Sequence, residues 1–277
     1  MLKSRIWTAL VLLAILLPVL WFNHYPAFVL IVTVFFSAAI WESFRLFKNP
    51  QALLVTMFWS AAFSYTFFIG NGLVQPNFWF VLCTAIWMIR FVPALATGLP
   101  PPEGTSNVLL SLVYGVTIVG CFVAIVALFQ HSPLYLLSVM ALVWIADIGA
   151  YFSGKAFGKR KLAPSISPGK SWEGAIGGGI AVLLVSALSI ICAPMAPWLD
   201  DTFAVQLQLK QGWLIALAIL ILIVAASVVG DLFESLLKRR AGFKDSSNLL
   251  PGHGGVLDRI DALIPVLPLA ALIGAWL

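Results

Sequence analysis

The chain has 277 residues, of which 61% are hydrophobic and only 10% charged, with a formal net charge of +5. Soluble domains carry about 25% charged residues and use them to cover their surface. A soluble globular protein is therefore excluded, and a mean hydropathy of +1.02 leaves an all-α polytopic membrane protein as the expected class.

A spanning helix needs roughly 20 mostly apolar residues. Nine candidate segments occur, over 6–22, 27–41, 52–70, 77–97, 108–129, 134–153, 174–193, 212–230 and 257–277. The first, in MLKSRIWTALVLLAILLPVLWF, pairs a basic start with an apolar run. It lacks a small-residue cleavage site and is read as an uncleaved span. The second is short and the last begins with charge, so eight spans is the alternative count. Pro18 and Pro93 inside spans are ordinary, because neighbouring helices can satisfy the freed backbone groups. Cys83, Cys121 and Cys192 lie singly in apolar segments and read as small buried hydrophobes, not as a disulfide or zinc framework.

With nine spans, Lys210 falls on one side and the other 15 of the 16 lysines and arginines fall on the opposite side. Cytoplasmic loops are enriched in Lys and Arg. This places the N-terminus and the even-numbered loops in the cytoplasm and favours nine spans over eight. Three connections are long. The 194–211 loop is expected outside and carries little but Asp200 and Asp201. The 154–173 and 231–256 loops are basic, rich in Gly, Ser and Pro, and expected on the cytoplasmic side. No internal repeat points to the inverted halves of a transporter.

Asp147 lies inside the sixth span, one to two turns from its expected end. An ionisable group at that depth is a functional candidate, with a partner for a neighbouring basic side chain as the plainer reading. The glycines and serines among Lys155, Lys159, Arg160, Lys161 and Lys170 allow backbone and ammonium groups to approach an anion. The spacing is not a Walker A motif, and contact with acidic lipid headgroups explains the charge equally simply.

The stretch SLLKRRAGFKDSSNLLPGHGGVLDRID, residues 235–261, holds eight of the chain's 27 charged residues. Asp231 is expected to end the eighth span, and helical spacing aligns Ser227, Asp231, Glu234 or Ser235, and Lys238 on one stripe. A carboxylate at a helix C-terminus opposes the dipole and calls for a cation, either Lys238 or a metal. The PGHGG turn allows a backbone to crowd against a ligand. Asp258 and Asp261 share a face at the start of the ninth span, where a helix favours carboxylates and also binds phosphate. Carboxylates combined with phosphate oxygens are what Mg²⁺ takes. The residues thus point to an anion site with a metal at one membrane face, and they name neither a nucleotide nor a lipid.

Ser235-x-x-Lys238-Arg239, Lys244-Asp245 and His253-Gly254-Gly255-x-x-Asp258-Arg259-x-Asp261 together resemble the signature of the phosphatidate cytidylyltransferases, the CDP-diacylglycerol synthases. Upstream, Ser167-Pro168-Gly169-Lys170-Ser171-Trp172-Glu173-Gly174 is similar to a second segment of that family, with Gly169 where Lys is common. The resemblance implies that CTP and phosphatidate condense to CDP-diacylglycerol and pyrophosphate with Mg²⁺, as one or two metal ions or with an additional monovalent cation. It implies metal ligands at Asp231, Asp258 and Asp261. It further implies catalytic or phosphate-pairing roles for Lys238, Arg239, Lys244, Asp245, His253 and Arg259. Asp147, Lys155, Ser167, Lys170, Ser235, Gly254 and Gly255 complete the expected substrate pocket. The expected organisation is a block of N-terminal spans over 1–130 and a catalytic region over 131–277. The expected partners are CTP, phosphatidate and membrane lipids, with a homodimer as a candidate assembly and no nucleic acid. The expected location is a bacterial inner membrane.

Two other classes compete. A transporter for an anionic solute would need polar groups along a path to both faces, whereas these cluster at one. A related transferase acting on polyprenol or dolichol would use another nucleotide, and kinase-like relatives that use CTP would transfer its γ-phosphate and leave CDP in place of pyrophosphate.

Overall fold

The structure, a computed structural model, describes residues 2–70, 72–73 and 75–276. The side chains of residues 2–5 and 9 lie outside that description, and Lys3 and Arg5 of the orientation reading go with them. Eleven α-helices follow one another: α1 (Leu2–Trp21), α2 (Tyr25–Leu46), α3 (Ala52–Phe68), α4 (Pro76–Ile86), α5 (Val92–Thr97), α6 (Thr105–His131), α7 (Pro133–Phe157), α8 (Trp172–Cys192), α9 (Phe203–Ala241), α10 (Leu257–Ile260) and α11 (Leu263–Gly274). A single π turn, Trp87–Phe91, joins α4 to α5, just before Pro93, which has no N–H to give to the preceding turn.

Among the described residues, six helices are long and apolar enough to cross a membrane, α4 and α5 counting as one, and three shorter apolar helices accompany them. Each of the nine overlaps one of the nine apolar segments in the sequence, and the chain is an all-α polytopic membrane protein. The boundaries differ in ways that matter. The second segment is not short, because α2 continues through Trp41-Glu42-Ser43 to Leu46, for 22 residues. The 194–211 connection is not a plain loop: after two 3₁₀ turns, helix resumes at Phe203. It passes through Gly212, whose φ of 77° and ψ of 171° break the helical path, a conformation that costs a glycine little. It then runs on to Ala241.

The 154–173 connection is also more ordered than expected. Helix α7 continues to Phe157, and the chain then forms an antiparallel hairpin, β1 (Lys161–Ala163) with β2 (Ser167–Ser171). Ser171 caps α8 by accepting a hydrogen bond from the Gly174 amide at 3.1 Å. Ser132 caps α7 in the same manner, ahead of Pro133 in the first turn.

One continuous buried cluster runs from Leu20 to Ala271. At its centre Phe233 of α9 meets Phe91 at 4.5 Å and Tyr114 at 5.1 Å between ring centroids. Helices α7 and α8 pack closely because glycines line their seam. A Cβ added at Gly178 would lie 2.5 Å from the Ala146 carbonyl oxygen, too near for any side chain to enter without displacing backbone. Helix α11 lies against α4, α6 and α9. Cys83 and Cys121 are buried free thiols and Cys192 is a half-buried one.

Polar contacts gather at one end of the bundle. The Thr8 hydroxyl donates to the Pro251 carbonyl at 2.9 Å, Arg45 to the Ser246 carbonyl at 2.7 Å, and Arg240 to the Pro100 carbonyl at 3.0 Å. The start of α1, the end of α2, the 98–104 connection and the 242–256 segment therefore share that end.

Candidate active site

A cavity of about 500 Å³ opens between α7, α8, α9 and β2, within the range of small-molecule sites. Its wall is largely apolar and small, with Ala146, Gly174, Ala175 and Gly178 on two helices. Asp147, Lys155, Lys170, Ser171, Ser227 and Asp231 bring the polar groups. The close α7–α8 seam is what leaves room for it, since small residues on both helices leave no long side chains to fill the space.

Asp231 pairs with Lys170 on β2 and accepts a hydrogen bond from Ser235, one turn further along α9, at 3.4 Å. This corrects two expectations. Asp231 does not end its helix, because α9 continues for ten further residues, and its compensating cation within the protein is Lys170, not Lys238. The dipole at the true end is met by Lys238, Arg239 and Arg240 in the last turn. Gly242 then closes the helix in the left-handed region, with its amide on the Arg239 carbonyl and that of Phe243 on the Lys238 carbonyl. Asp147 likewise lies further from its helix end than expected: α7 continues ten residues beyond it, about 15 Å of helix.

Lys238 reaches the other way. Its ammonium lies 2.7 Å from Asp258 Oδ1 and also pairs with the fully buried Glu234 one turn back. Asp258 Oδ2 accepts from the Ser246 amide and hydroxyl, each at 2.9 Å, and from the Gly255 amide at 2.8 Å. Burial alone would raise the Asp258 carboxyl. The Lys238 ammonium and the Gly255 and Ser246 amides outweigh it and hold the group below its ordinary value.

Gly230 presses its α-carbon face against the Asp261 carbonyl oxygen and the Pro265 ring. This sets the Asp261 backbone against the turn of α9 that carries Asp231. Asp261 Oδ1 accepts from the Ala262 amide at 2.8 Å. Asp231 lines the cavity, whereas Asp261, Lys238 and the Asp258 it pairs with lie outside the lining, Lys238 about two turns from Asp231 along α9 and Asp261 against the Asp231 turn. No three acidic, histidine or cysteine side chains among the described residues converge as a ready-made metal set. Mg²⁺, however, commonly takes only one or two carboxylates and completes its shell with water and substrate phosphate. Asp231 and Asp261, carried on backbone segments that touch, fit that pattern.

Other expected residues sit further out. Arg239, Lys244 and Asp245 are exposed. Ser167 opens β2 opposite Ala163 and does not line the cavity. Arg259 donates through Nε to the His253 carbonyl at 2.9 Å, which folds the PGHGG turn back on itself. The His253 Nδ1 is buried with no hydrogen-bond partner. Gly254 turns with φ of 82° and faces Asp258, and Gly255 is buried against Glu42 and Ser246.

Residues 3–277 match the cytidylyltransferase family. The chain belongs to that family. Among its relatives, a phosphatidate cytidylyltransferase of Pseudomonas aeruginosa is 41% identical over 99% of this chain and 98% of its own length. One of Haemophilus influenzae is 37% identical over 97% and 96%, and one of Bacillus subtilis is 30% identical over 96% and 95%. Against that family membership, three residues of the site stand outside the sequence expectations: Glu42, Ser246 and Ser247. Glu42 is fully buried and its carboxylate touches both ends of the 246–257 segment. The signal for it was present, since it is an acid in an apolar run, as Asp147 is.

Proposed function

We propose that this chain is a phosphatidate cytidylyltransferase, condensing CTP and phosphatidate to CDP-diacylglycerol and pyrophosphate. The observation that carries the reading is the cavity itself: apolar walls, facing carboxylates and lysines, at the polar end of a helical bundle. A lipid phosphate with its acyl chains and a nucleotide triphosphate require such a boundary, and the near full-length relatives bearing that name support it.

In the reaction, a phosphate oxygen of phosphatidate forms a bond to the α-phosphorus of CTP. The bond from that phosphorus to the bridging oxygen breaks, and pyrophosphate leaves with the electron pair. No side-chain nucleophile is needed, so the protein's task is positioning and charge stabilisation. Lys170 at the cavity wall and Lys155 on α7 would face phosphate oxygens, with Arg239, Lys244 and Arg259 meeting the outer phosphates. Asp231 and Asp261 would hold Mg²⁺, which when bound lowers the repulsion between the two anionic reactants. Lys238 keeps Asp258 beside them. The polar end carries most of the described Lys and Arg residues, which supports a cytoplasmic site in a bacterial inner membrane. CTP would then enter from the aqueous side and the lipid from between helices.

The test uses protein purified in detergent with phosphatidate and CTP labelled at the α-phosphate. Label entering lipid, with pyrophosphate released and turnover stopped by a chelator, is the expected result. Label remaining entirely in nucleotide would overturn the substrate assignment, and CDP as the product would shift it to a kinase-type transfer.

A further inference from the structure

We propose that Glu42, from the N-terminal half of the chain, is a positioning residue for this reaction: it ties down the 246–257 segment and sets Asp258 through the Ser246 hydroxyl. The proposal rests on the cytidylyl-transfer reading.

Glu42 lies four residues from the end of α2, with no exposed surface. A buried carboxylate without partners costs several kcal/mol, yet this one is supplied with four donors. Oε1 accepts from the Val256 amide at 3.0 Å and from the Ser247 hydroxyl. Oε2 accepts from the Leu257 amide at 2.6 Å and the Ser246 hydroxyl at 3.1 Å. The donors come in two pairs from the two ends of one connection, Ser246-Ser247 and Val256-Leu257. A single group more than 200 residues upstream therefore closes the loop that bears His253, Gly254 and Gly255. Arg45, one turn further on in α2, reinforces the clamp through the Ser246 carbonyl.

The fit tolerates no added bulk. A Cβ at Gly255 would overlap the Ser246 hydroxyl and Glu42 Oε1, and would come within 2.7 Å of Glu42 Cδ. Glycine at this position thus answers to Glu42 as much as to any ligand.

Loop closure alone would not require a carboxylate connected to the site. Ser246 makes that connection, because its hydroxyl lies 3.1 Å from Glu42 and 2.9 Å from Asp258. A hydroxyl has one proton, so the two carboxylates share one donor. Asp258 in turn holds Lys238 through its other oxygen. A polar path thus runs Glu42–Ser246–Asp258–Lys238–Glu234, from α2 to the turn of α9 next to Asp231 on the cavity wall. Displacements far from the reacting atoms of about 1 Å can cost up to about 100-fold in rate.

The experiment compares wild type, Glu42→Gln, Ser246→Ala and the double variant, as full-length protein in detergent. Hydrogen exchange over 243–257 is read beside kcat and KM for both substrates. Glu42→Gln should speed exchange at 246–257 and lower kcat about tenfold or more, while KM for phosphatidate changes by less than about twofold. Ser246→Ala should lower kcat too, and Glu42→Gln added to it should cost less than it does alone, since the two act along one path. A folded Glu42→Gln protein with wild-type kcat overturns the proposal, as do losses that multiply independently. Should Glu42→Gln not fold, Ser246→Ala and Ser247→Ala leave the carboxylate its two amide donors, and unchanged kcat in both overturns it. If wild type itself transfers no label to lipid, the cytidylyl-transfer reading fails, and the exchange data alone still decide whether Glu42 holds the loop.

Discussion

Lys170 of β2 and Asp231 of α9 form an ion pair at the wall of the cavity, with side chains 25% and 30% exposed. The pair joins the hairpin to a long helix that would otherwise touch it only lightly. It also sets a positive group beside the carboxylate proposed to hold a metal, where an incoming phosphate can take the lysine over.

Replacing Lys170 by Met should therefore lower kcat/KM for CTP by at least about tenfold, the cost of about 1.4 kcal/mol of lost transition-state contact. Steady-state assay of the detergent-purified variant is the check. A loss of less than twofold would show that the lysine only braces the hairpin.

Lys238 should matter for stability as well as for turnover. Removing it as Lys238→Met leaves Glu234 and Asp258 facing each other without a cation, and breaking a buried pair in this way costs about 3–5 kcal/mol. Arg239→Met, at the exposed neighbour, should cost well under about 1 kcal/mol. Thermal unfolding of both variants in the same detergent compares them, and equal midpoints would refute the buried network.

Gly178→Ala tests the origin of the cavity. The new methyl would meet the Ala146 carbonyl oxygen at 2.5 Å, so α7 and α8 must move apart or the helix must bend. Overpacking of this kind costs about 1–3 kcal/mol. The thermal midpoint should fall and KM for phosphatidate should change with it. A variant that melts and turns over as wild type does would mean the seam is loose.

Chelation should stop the reaction, and Mg²⁺ should restore it. Asp231→Asn should then need more Mg²⁺ for half-maximal rate and reach a lower maximum, whereas Asp245→Asn, exposed and away from the cavity, should titrate as wild type. A shared Mg²⁺ dependence in wild type and Asp231→Asn would remove Asp231 from the ion's shell.

Much of the fold was readable from hydropathy, because every helix that crosses a bilayer needs a long apolar stretch and the sequence displays such stretches plainly. Helix ends were less readable. Hydropathy falls where side chains become polar, but a helix can continue past that point as long as its polar groups find partners. Asp231, Glu234 and Lys238 lie on such a continuation of α9, which is why Asp231 reads as a helix end and is not one. The linear motif around His253 to Asp261 was legible because its spacing is compact. Glu42 was not, because its donors are more than 200 residues away and no local pattern announces them. Only the general expense of an acid in an apolar helix pointed to it.

The separation of Glu42 from its partners has a consequence for biogenesis. Chains are made from the N-terminus, so α2 enters the membrane while Ser246, Ser247, Val256 and Leu257 do not yet exist. Until they arrive, a carboxylate destined for full burial must wait near the water at the end of its helix. The finishing of the site is thereby tied to the finishing of the polypeptide. A chain that ends before Val256 lacks both amide donors to Glu42 and leaves its loop without that closure.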